Sequence, residues 1–172
     1  SLLTAAIDMS LMVPYVIPGA VMGLALIIAF NRAPFFLAGT AVIMILCYTV
    51  RKIPYTVRSA SGFLQQMELS VEEASVNLGV SPAKTFFKVT LPLMLPGVVS
   101  GAILSWIETI NELRASILLG TVKTITMSVA IYKEVGRNGF GTAAAMATIL
   151  TISAIIMLVV FNRVSKGKVS IV

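Results

Sequence analysis

Histidine is absent from the 172-residue sequence, and the single cysteine, Cys47, lies inside an apolar run. These absences exclude disulfide frameworks, Cys/His zinc sites and histidine-based catalysis. Charge is also scarce: charged residues make up 12% of the chain and hydrophobic residues 58%, whereas a soluble domain has about 25% charged residues. The composition therefore predicts a membrane protein.

The net charge of +6 would also suit a nucleic-acid partner, but the 13 basic residues are scattered between apolar segments. Membrane topology explains such a distribution better than nucleic-acid binding does, so we expect no nucleic-acid partner. Residue 1 is serine, and no basic region precedes the first apolar run. We therefore expect no signal peptide, and we interpret the chain as part of a longer or processed protein.

Four long apolar segments predict membrane spans. They favour an all-α membrane protein, because in a bilayer the backbone must satisfy its own hydrogen bonds. The second segment is shorter than the roughly 20 residues a span needs, and we expect Pro34 and a snorkelling Arg51 to complete it to about 34–51. The predicted segments are Met9 to Phe30, Phe35 to Val50, Leu93 to Leu113 and Gly141 to Phe161.

Basic residues indicate a direction, because they are enriched on the cytoplasmic side. If the 51–92 segment and the C-terminal tail are cytoplasmic, that side holds eight basic residues and the other side five. Snorkelling and lipid contact are expected to explain Arg51, Tyr55 and Arg58 at the end of the second span. The eight are Arg51, Lys52, Arg58, Lys84, Lys88, Arg163, Lys166 and Lys168, and the five are Arg32, Arg114, Lys123, Lys133 and Arg137.

Glycine and proline predict where the spans pack and bend. Two pairs of glycines have the GxxxG spacing that lets helices approach closely in lipid. Pro14 and Pro18 should bend the first span, because each removes an intrahelical hydrogen bond. A kinked packing helix and a gate both remain open as explanations of that bend. The GxxxG pairs are Gly19 with Gly23 and Gly97 with Gly101.

The polar segment between the second and third spans has two helical patterns separated by a glycine. Apolar residues recur at steps of three and four from 64 to 78, and SVEE at 70–73 has the form of a capping box, so a helix should begin at Val71. Gly79 is expected to end that helix in a left-handed conformation. Ser81 can then cap a second helix, from Pro82 to about Val89, with Pro92 as a hinge into the membrane.

Two explanations of this segment are open at this point. A loop that only connected two spans would not need two capped helices, which favours a functional role. An amphipathic segment lying on lipid headgroups is the alternative, because Phe86 and Phe87 lie between Lys84 and Lys88.

The spacing within this segment resembles a known family. Glu73-Ala74-Ser75, three residues, Gly79, nine residues and Val89-Thr90-Leu91-Pro92 are similar to the EAA loop of bacterial ABC-importer permeases. That pattern is E-A-A, three residues, G, nine residues, I-x-L-P, so serine and valine here replace one alanine and the isoleucine. The stretches at 14–31, 51–59 and 111–120 further resemble permeases of the ferric-iron group, which are close to those for phosphonates, thiamine and polyamines.

The resemblance implies a fold and a set of partners. The chain, over 1–172, would be the C-terminal part of a type I ABC-importer transmembrane domain, with four transmembrane helices and a cytoplasmic two-helix coupling loop at about 62–92. It would be a multi-pass protein of the bacterial inner membrane that passes a solute, with ferric iron expected and phosphonate, thiamine or polyamine as alternatives. The implied partners are a cytoplasmic ABC ATPase dimer, a second permease half, a periplasmic or lipoprotein solute-binding protein and the lipid bilayer.

The resemblance also implies which residues couple the permease to the ATPase. The short helix after the glycine would sit in a groove of the ATPase subunit. For Glu73, capping of Ser70 is an open alternative to contact with the ATPase. The implied coupling residues are Glu73, Ala74, Ser75, Gly79, Ser81, Pro82, Lys84, Phe86, Phe87, Leu91 and Pro92.

Candidate residues for the translocation path lie at the end of the third span. Glu108 and Glu112 are four residues apart, hence on one helical face, with Asn111 adjacent. Carboxylates in a membrane are costly unless they face water, protein or a cation. They therefore either line a path for a cation or pair with Arg114 or Arg137 at the interface.

No other function class fits the sequence as well. No segment matches GxxxxGK[ST], so we expect ATP and Mg²⁺ on a separate ATPase and no cofactor on this chain. An intramembrane enzyme would need a buried nucleophile with a base, or paired acids. No histidine is available, and the acidic pair in a predicted span, Glu108 with Glu112, is expected near the membrane surface. A gated channel would need neither the loop nor an ATPase.

Overall fold

The chain is helical almost throughout. A computed structural model describes residues 2–66 and 70–165, without the side chains of 70–73, 162, 164 and 165. The helices are α1 (Leu2–Val16), α2 (Gly19–Ala29), α3 (Ala41–Gln66), α4 (Ser70–Asn77), α5 (Pro82–Thr85), α6 (Leu91–Ile110), α7 (Ser116–Leu119), α8 (Met127–Gly136) and α9 (Phe140–Ser165). A hairpin pairs β1 (Asn31–Arg32) with β2 (Phe35–Phe36), and a π-helical turn, Phe86–Thr90, follows α5.

The chain divides into two compact units, and each is described by itself. Unit 1 comprises residues 1–54 and 106–157, and unit 2 comprises residues 55–105 and 158–172. The predicted path residues belong to unit 1, whereas the predicted coupling residues belong to unit 2.

The core of unit 1 is formed where α2, α3 and α7 meet. Its buried side chains come from α3, from the residue just before α7 and from the end of α7 itself, and apolar residues of α2 pack against them. Gly19 and Gly23 are the buried residues of α2, and a Cβ at Gly23 would lie 3.5 Å from the Ala115 carbonyl oxygen. The packing role predicted for this glycine pair is confirmed. The buried core residues are Ile43, Met44, Cys47, Ala115 and Leu119.

The predicted first span is two helices rather than one. α1 ends at Val16, α2 begins at Gly19, and the axes of the two helices differ by 101°. Pro18 occupies the N-cap position of α2, where its missing N–H costs nothing, while Pro14 lies inside α1. The prediction that proline bends this segment is confirmed, and the bend is sharp enough to break the helix.

The predicted second span and the loop after it need correction. Residues 31–36 form the hairpin, and the helix then begins at Ala41 and continues through Arg51 and Pro54 to Gln66. Arg51, Lys52 and Arg58 are therefore helical residues and not part of a loop. Without these three, the two predicted sides of the membrane carry five basic residues each, so charge no longer indicates an orientation.

Unit 2 is held together where α6 crosses the C-terminal part of α3. Gly97 and Gly101 are buried, and Cβ atoms built on them would lie 2.7 Å from Phe63 Cβ and 2.5 Å from Thr56 Cα, respectively. Only glycine allows so close an approach of the two backbones. The packing role predicted for this second GxxxG pair is also confirmed.

The predicted hinge at Pro92 is wrong. α5, the π turn and α6 form one helical run, Pro82–Ile110, without a break. The Leu91 N–H donates to the Phe86 carbonyl, five residues back, so the turn is widened just before the proline. Since Pro92 has no N–H to contribute, a wider turn at this point avoids the steric conflict that proline causes inside a regular helix.

Two described helical stretches are long and apolar enough to cross a membrane, Pro82–Ile110 and Phe140–Phe161. The bent pair α1 and α2 would make a third if it counts as one span. α3 has 26 residues but carries three basic side chains. The predicted number of four spans is therefore not confirmed.

Candidate functional site: the coupling segment and a buried ion-pair cluster

The corner between α4 and α5 has the geometry of a Schellman motif. Gly79 has a φ of +80°, the Val80 N–H donates to the Ser75 carbonyl (3.3 Å), and the Gly79 N–H donates to the Val76 carbonyl (2.9 Å). These two bonds satisfy carbonyls that the end of a helix otherwise leaves unpaired. The left-handed helix stop predicted at Gly79 is confirmed.

The second short helix presents an aromatic and basic surface. Ser81 occupies the N-cap position and Pro82 the first position of α5, as predicted, but the Ser81 side chain makes no capping hydrogen bond. Phe86 and Phe87 are exposed, and their rings meet edge to face at 5.3 Å between centroids. Lys84 is also exposed, so apolar and cationic groups lie side by side on this segment.

The remaining predicted coupling residues fall on the same stretch of unit 2. Glu73 and Ala74 lie in α4, and the side chain of Glu73, with its predicted capping of Ser70, lies outside the described residues. Leu91 and Pro92 form the first turn of α6. α4 packs against both α5 and the π turn, which makes the whole segment one folded element.

A cluster of four charged side chains lies in unit 1. Arg51 Nη1 donates to Glu112 Oε2 at 2.6 Å. Lys52 Nζ lies 3.6 Å from carboxylate oxygens of both Glu108 and Glu112. The Arg51, Lys52 and Glu112 side chains are 11%, 9% and 7% exposed, whereas that of Glu108 is 52% exposed.

Glu112 is also the residue that organises the turn from α6 into α7. Its second carboxylate oxygen accepts a hydrogen bond from the Ala115 N–H (3.1 Å), and its carbonyl accepts one from the Ser116 hydroxyl (2.7 Å). The Ser116 and Tyr48 hydroxyls share a further hydrogen bond of 2.6 Å. Both carboxylate oxygens of Glu112 are thus occupied by this chain's own donors.

The structure corrects the predicted partners of the acidic pair. Of the two explanations left open for the acidic pair, pairing with Arg114 or Arg137 is wrong in its partners: Arg51 and Lys52 of α3 make these contacts, and Arg137 pairs with Glu134 at 3.2 Å. α6 ends at Ile110, so Glu108 and Glu112 do not share one helical face. The predicted snorkelling of Arg51 is also wrong, because its guanidinium is buried against Glu112 and against Gly19.

The third predicted path residue, Asn111, is exposed, and its amide donates to the Ile107 carbonyl at 3.0 Å. Of the two predicted path carboxylates, that of Glu108 is the more accessible, because its side chain is 52% exposed and that of Glu112 is 7% exposed. In the part of the chain that the structure describes, no three His, Cys, Asp or Glu side chains come together as a metal-binding group.

Sequence reasoning missed the basic half of the cluster and the hydroxyl pairs. Arg51 and Lys52 follow a run of apolar residues, a position that predicts the end of a span at Arg51 and a cytoplasmic loop from Lys52 onward. The available signal was the continuing helical pattern of α3 beyond them, because a charge inside a membrane helix normally has a charged partner. Hydroxyl pairs such as Tyr48 with Ser116 leave no pattern in the sequence.

Comparison with known proteins gives consistent matches over nearly the whole chain. Residues 1–170 match the family described as "Binding-protein-dependent transport system inner membrane component". The chain is 30% identical to a ferric transport system permease protein of Actinobacillus pleuropneumoniae over 151 residues, which cover 88% of this chain and 22% of that protein. It is 28% identical over 160 residues to a putative 2-aminoethylphosphonate permease of Salmonella paratyphi A (93% and 60% covered).

A molybdenum transport system permease protein of Mycobacterium bovis is also 28% identical, over 170 residues, with 91% of this chain and 64% of that protein covered. The chain thus spans about a fifth to about two thirds of the length of these relatives.

Proposed function

Since the chain belongs to the family of binding-protein-dependent transport system inner membrane components, we propose that it forms part of the permease of an ATP-driven importer. The observation that carries this proposal is the match to that family over residues 1–170. The permease passes a solute from a binding protein across the bacterial inner membrane. A dimer of separate ATPase subunits binds ATP and Mg²⁺, and a second permease half completes the path.

The arrangement of the spans is part of the same proposal. The chain crosses the membrane four times, through the bent pair α1 and α2, α3, the Pro82–Ile110 run and α9. Arg51 and Lys52 of α3 are compatible with a membrane position because both are paired with acidic side chains. The segment from α4 to Pro92 lies on the cytoplasmic side, together with the C-terminal tail.

Coupling to the ATPase proceeds through this segment. The exposed Phe86, Phe87 and Lys84 offer apolar contact area and positive charge to a groove on the ATPase. The unbroken helical run from Pro82 to Ile110 supports a direct transmission of movement, since no flexible break separates α5 from the span. Closure of the ATPase dimer would shift the permease between two states through this rigid element.

Gly79 provides the test of the coupling role. Replacing Gly79 with valine should reduce ATP-dependent solute uptake about tenfold while leaving membrane insertion intact, because a β-branched residue at φ +80° is strained. A Cβ at this position would meet no atom of the described chain within 4 Å, so the effect would come from the backbone. The measurement is uptake into proteoliposomes that contain the full permease, its ATPase and its binding protein.

The matched control is Gly79→Asn, since asparagine tolerates the left-handed conformation better than valine does. This variant should keep most of the uptake. Normal uptake by the valine variant would contradict the coupling role. Uptake by the wild-type assembly without ATP would favour a channel instead.

Ferric iron is the proposed solute, with phosphonate, thiamine, polyamine or molybdate as alternatives. The relatives are named for ferric, 2-aminoethylphosphonate and molybdenum transport, and these names support iron, 2-aminoethylphosphonate and an oxyanion of molybdenum as candidates. Glu108 is the one predicted path carboxylate that is more than half exposed, and a single carboxylate would hold a passing cation only weakly. Weak binding suits a permease, which must release its cargo.

The solute is tested by offering radiolabelled ferric ion, 2-aminoethylphosphonate and molybdate to the wild-type assembly. If iron is the cargo and Glu108 contacts it, Glu108→Gln should reduce iron uptake several-fold. Asn111→Ala, at the neighbouring exposed position, is the comparison variant. Accumulation of either anion in place of iron would overturn the iron assignment.

A further inference from the structure

Ser75 occupies a special position at the corner between α4 and α5. Its carbonyl accepts the Val80 N–H, one of the two hydrogen bonds that close the Schellman motif. Its hydroxyl shares a hydrogen bond of 3.0 Å with the hydroxyl of Thr85, at the end of α5. One residue thus links the end of the first short helix both to the corner and to the second short helix.

The surroundings of Thr85 fix the geometry of its hydrogen bond to the Ser75 hydroxyl. The residue is fully buried, although it lies between exposed Lys84 and exposed Phe86. Its backbone N–H donates to the Ser81 carbonyl at 2.9 Å, so its position on α5 is fixed as well. A buried hydroxyl without a partner is costly, and Thr85 therefore favours the arrangement in which Ser75 faces it.

We propose that Ser75 and Thr85 form a hydroxyl clamp that fixes the angle between α4 and the Pro82–Ile110 run. The clamp keeps α4 and the corner at Gly79 moving together with this run when the surface formed by Lys84, Phe86 and Phe87 is displaced. Both residues act as positioning residues, since neither hydroxyl is needed to touch the ATPase or the solute. The transport part of this inference rests on the proposed function, whereas the clamp itself rests on the contacts within unit 2.

The first experiment measures the clamp directly, by hydrogen exchange of the peptide that contains Gly79 and Val80 in the full importer complex. Ser75→Ala and Thr85→Val each remove one hydroxyl, and each should accelerate exchange about fivefold to tenfold, as expected for the loss of one buried hydrogen bond. The double variant should exchange about as fast as either single one, because the same bond is lost. Asn77→Ala, on the exposed end of α4, is the matched control and should exchange like the wild type.

Thr85→Ser separates the hydroxyl from the packing of the side chain. It keeps the hydroxyl and loses a methyl group, whereas Thr85→Val keeps the shape and loses the hydroxyl. If the clamp is correct, the serine variant exchanges more slowly than the valine variant. If packing alone matters, the order is reversed and the clamp is refuted.

The second experiment measures the number of ATP molecules hydrolysed for each solute molecule accumulated. The solute is whichever of ferric ion, 2-aminoethylphosphonate and molybdate the wild-type assembly takes up. Ser75→Ala and Thr85→Val should raise this ratio severalfold, and Thr85→Ser should restore it toward the wild-type value. A variant that merely folds poorly would lose hydrolysis and uptake together and leave the ratio unchanged.

The outcomes of the two experiments are distinguishable. Wild-type exchange rates in Ser75→Ala would refute the clamp whatever the uptake shows. Faster exchange with an unchanged ratio would refute its role in coupling. If the wild-type assembly accumulates none of the three solutes with ATP, the failure belongs to the proposed function, and the exchange rates still decide the clamp.

Discussion

Gly101→Leu is expected to abolish the packing of α6 on α3. Even a Cβ at this position would lie 2.5 Å from Thr56 Cα and 3.0 Å from the Tyr55 carbonyl oxygen. These atoms belong to the backbone of a continuous helix, so they cannot move aside as a flexible side chain could. The leucine variant can fold only if the two helices separate, which removes the contact that holds unit 2 together.

The size of the effect follows from the cost of overpacking. Overpacking a core by a few carbon atoms costs about 1–3 kcal/mol when the neighbours can adjust, and here the neighbour is backbone. We therefore expect a loss of more than about 3 kcal/mol from a total stability of about 5–15 kcal/mol. The measurement is the thermal unfolding of the purified permease in detergent, together with the yield of inserted protein.

Gly62→Ala is the matched control in the same unit. Gly62 lies on α3, and a Cβ there would have no neighbour within 4 Å. Alanine should be tolerated, or should stabilise the helix by up to about 1 kcal/mol, because glycine is a poor helix former. Equal stability of the Gly101 and Gly62 variants would show that the close approach of α3 and α6 is wrong.

The second large effect is expected for Glu112→Ala. The variant leaves Arg51 and Lys52 buried without their shared carboxylate, and it removes the acceptor of the Ala115 N–H. Breaking a buried ion pair in this way costs about 3–5 kcal/mol, because an uncompensated charge remains. Arg51 Nε is already buried without a hydrogen-bond partner among the described residues, so the guanidinium is incompletely hydrogen-bonded even before the carboxylate is removed.

An exposed ion pair of the same unit provides the contrast. Arg137 pairs with Glu134 across one helical turn, and its side chain is 73% exposed. Arg137→Ala should therefore change the free energy of unfolding by about 0–1 kcal/mol. Thermal unfolding of both variants in one detergent compares them directly, and an equal loss in the two would contradict the burial of the cluster.

A double variant tests whether the stability lost in Glu112→Ala is caused by the charge that is left without a partner. Arg51→Met combined with Glu112→Gln should lose less stability than the sum of the two single variants, since neither partner is then left charged and alone. Simple additivity would mean that Arg51 and Glu112 stabilise the fold independently of each other.

The sequence by itself determined the features that depend on neighbouring residues. The helix stop at Gly79 follows from one residue's backbone freedom, and the break near Pro18 follows from one missing N–H. Both GxxxG pairs identified buried packing faces, and at Gly97 and Gly101 only a missing side chain permits the approach of the neighbouring backbone. The spacing from Glu73 to Pro92 predicted the family, which the match over residues 1–170 confirms.

Only the tertiary structure decided which distant groups meet. Arg51 and Glu112 are 61 residues apart, and their contact depends on how α3 lies against the turn after α6. The count of basic residues on the two sides of the membrane treats Arg51 as a residue of the membrane boundary. Because Arg51 is buried in an ion pair with Glu112, that treatment is wrong. The hydroxyl bond between Ser75 and Thr85 and the unbroken helix through Pro92 likewise depend on packing. Local patterns fix the conformation of the backbone, but a charge or hydroxyl finds its partner only when separate helices are brought together.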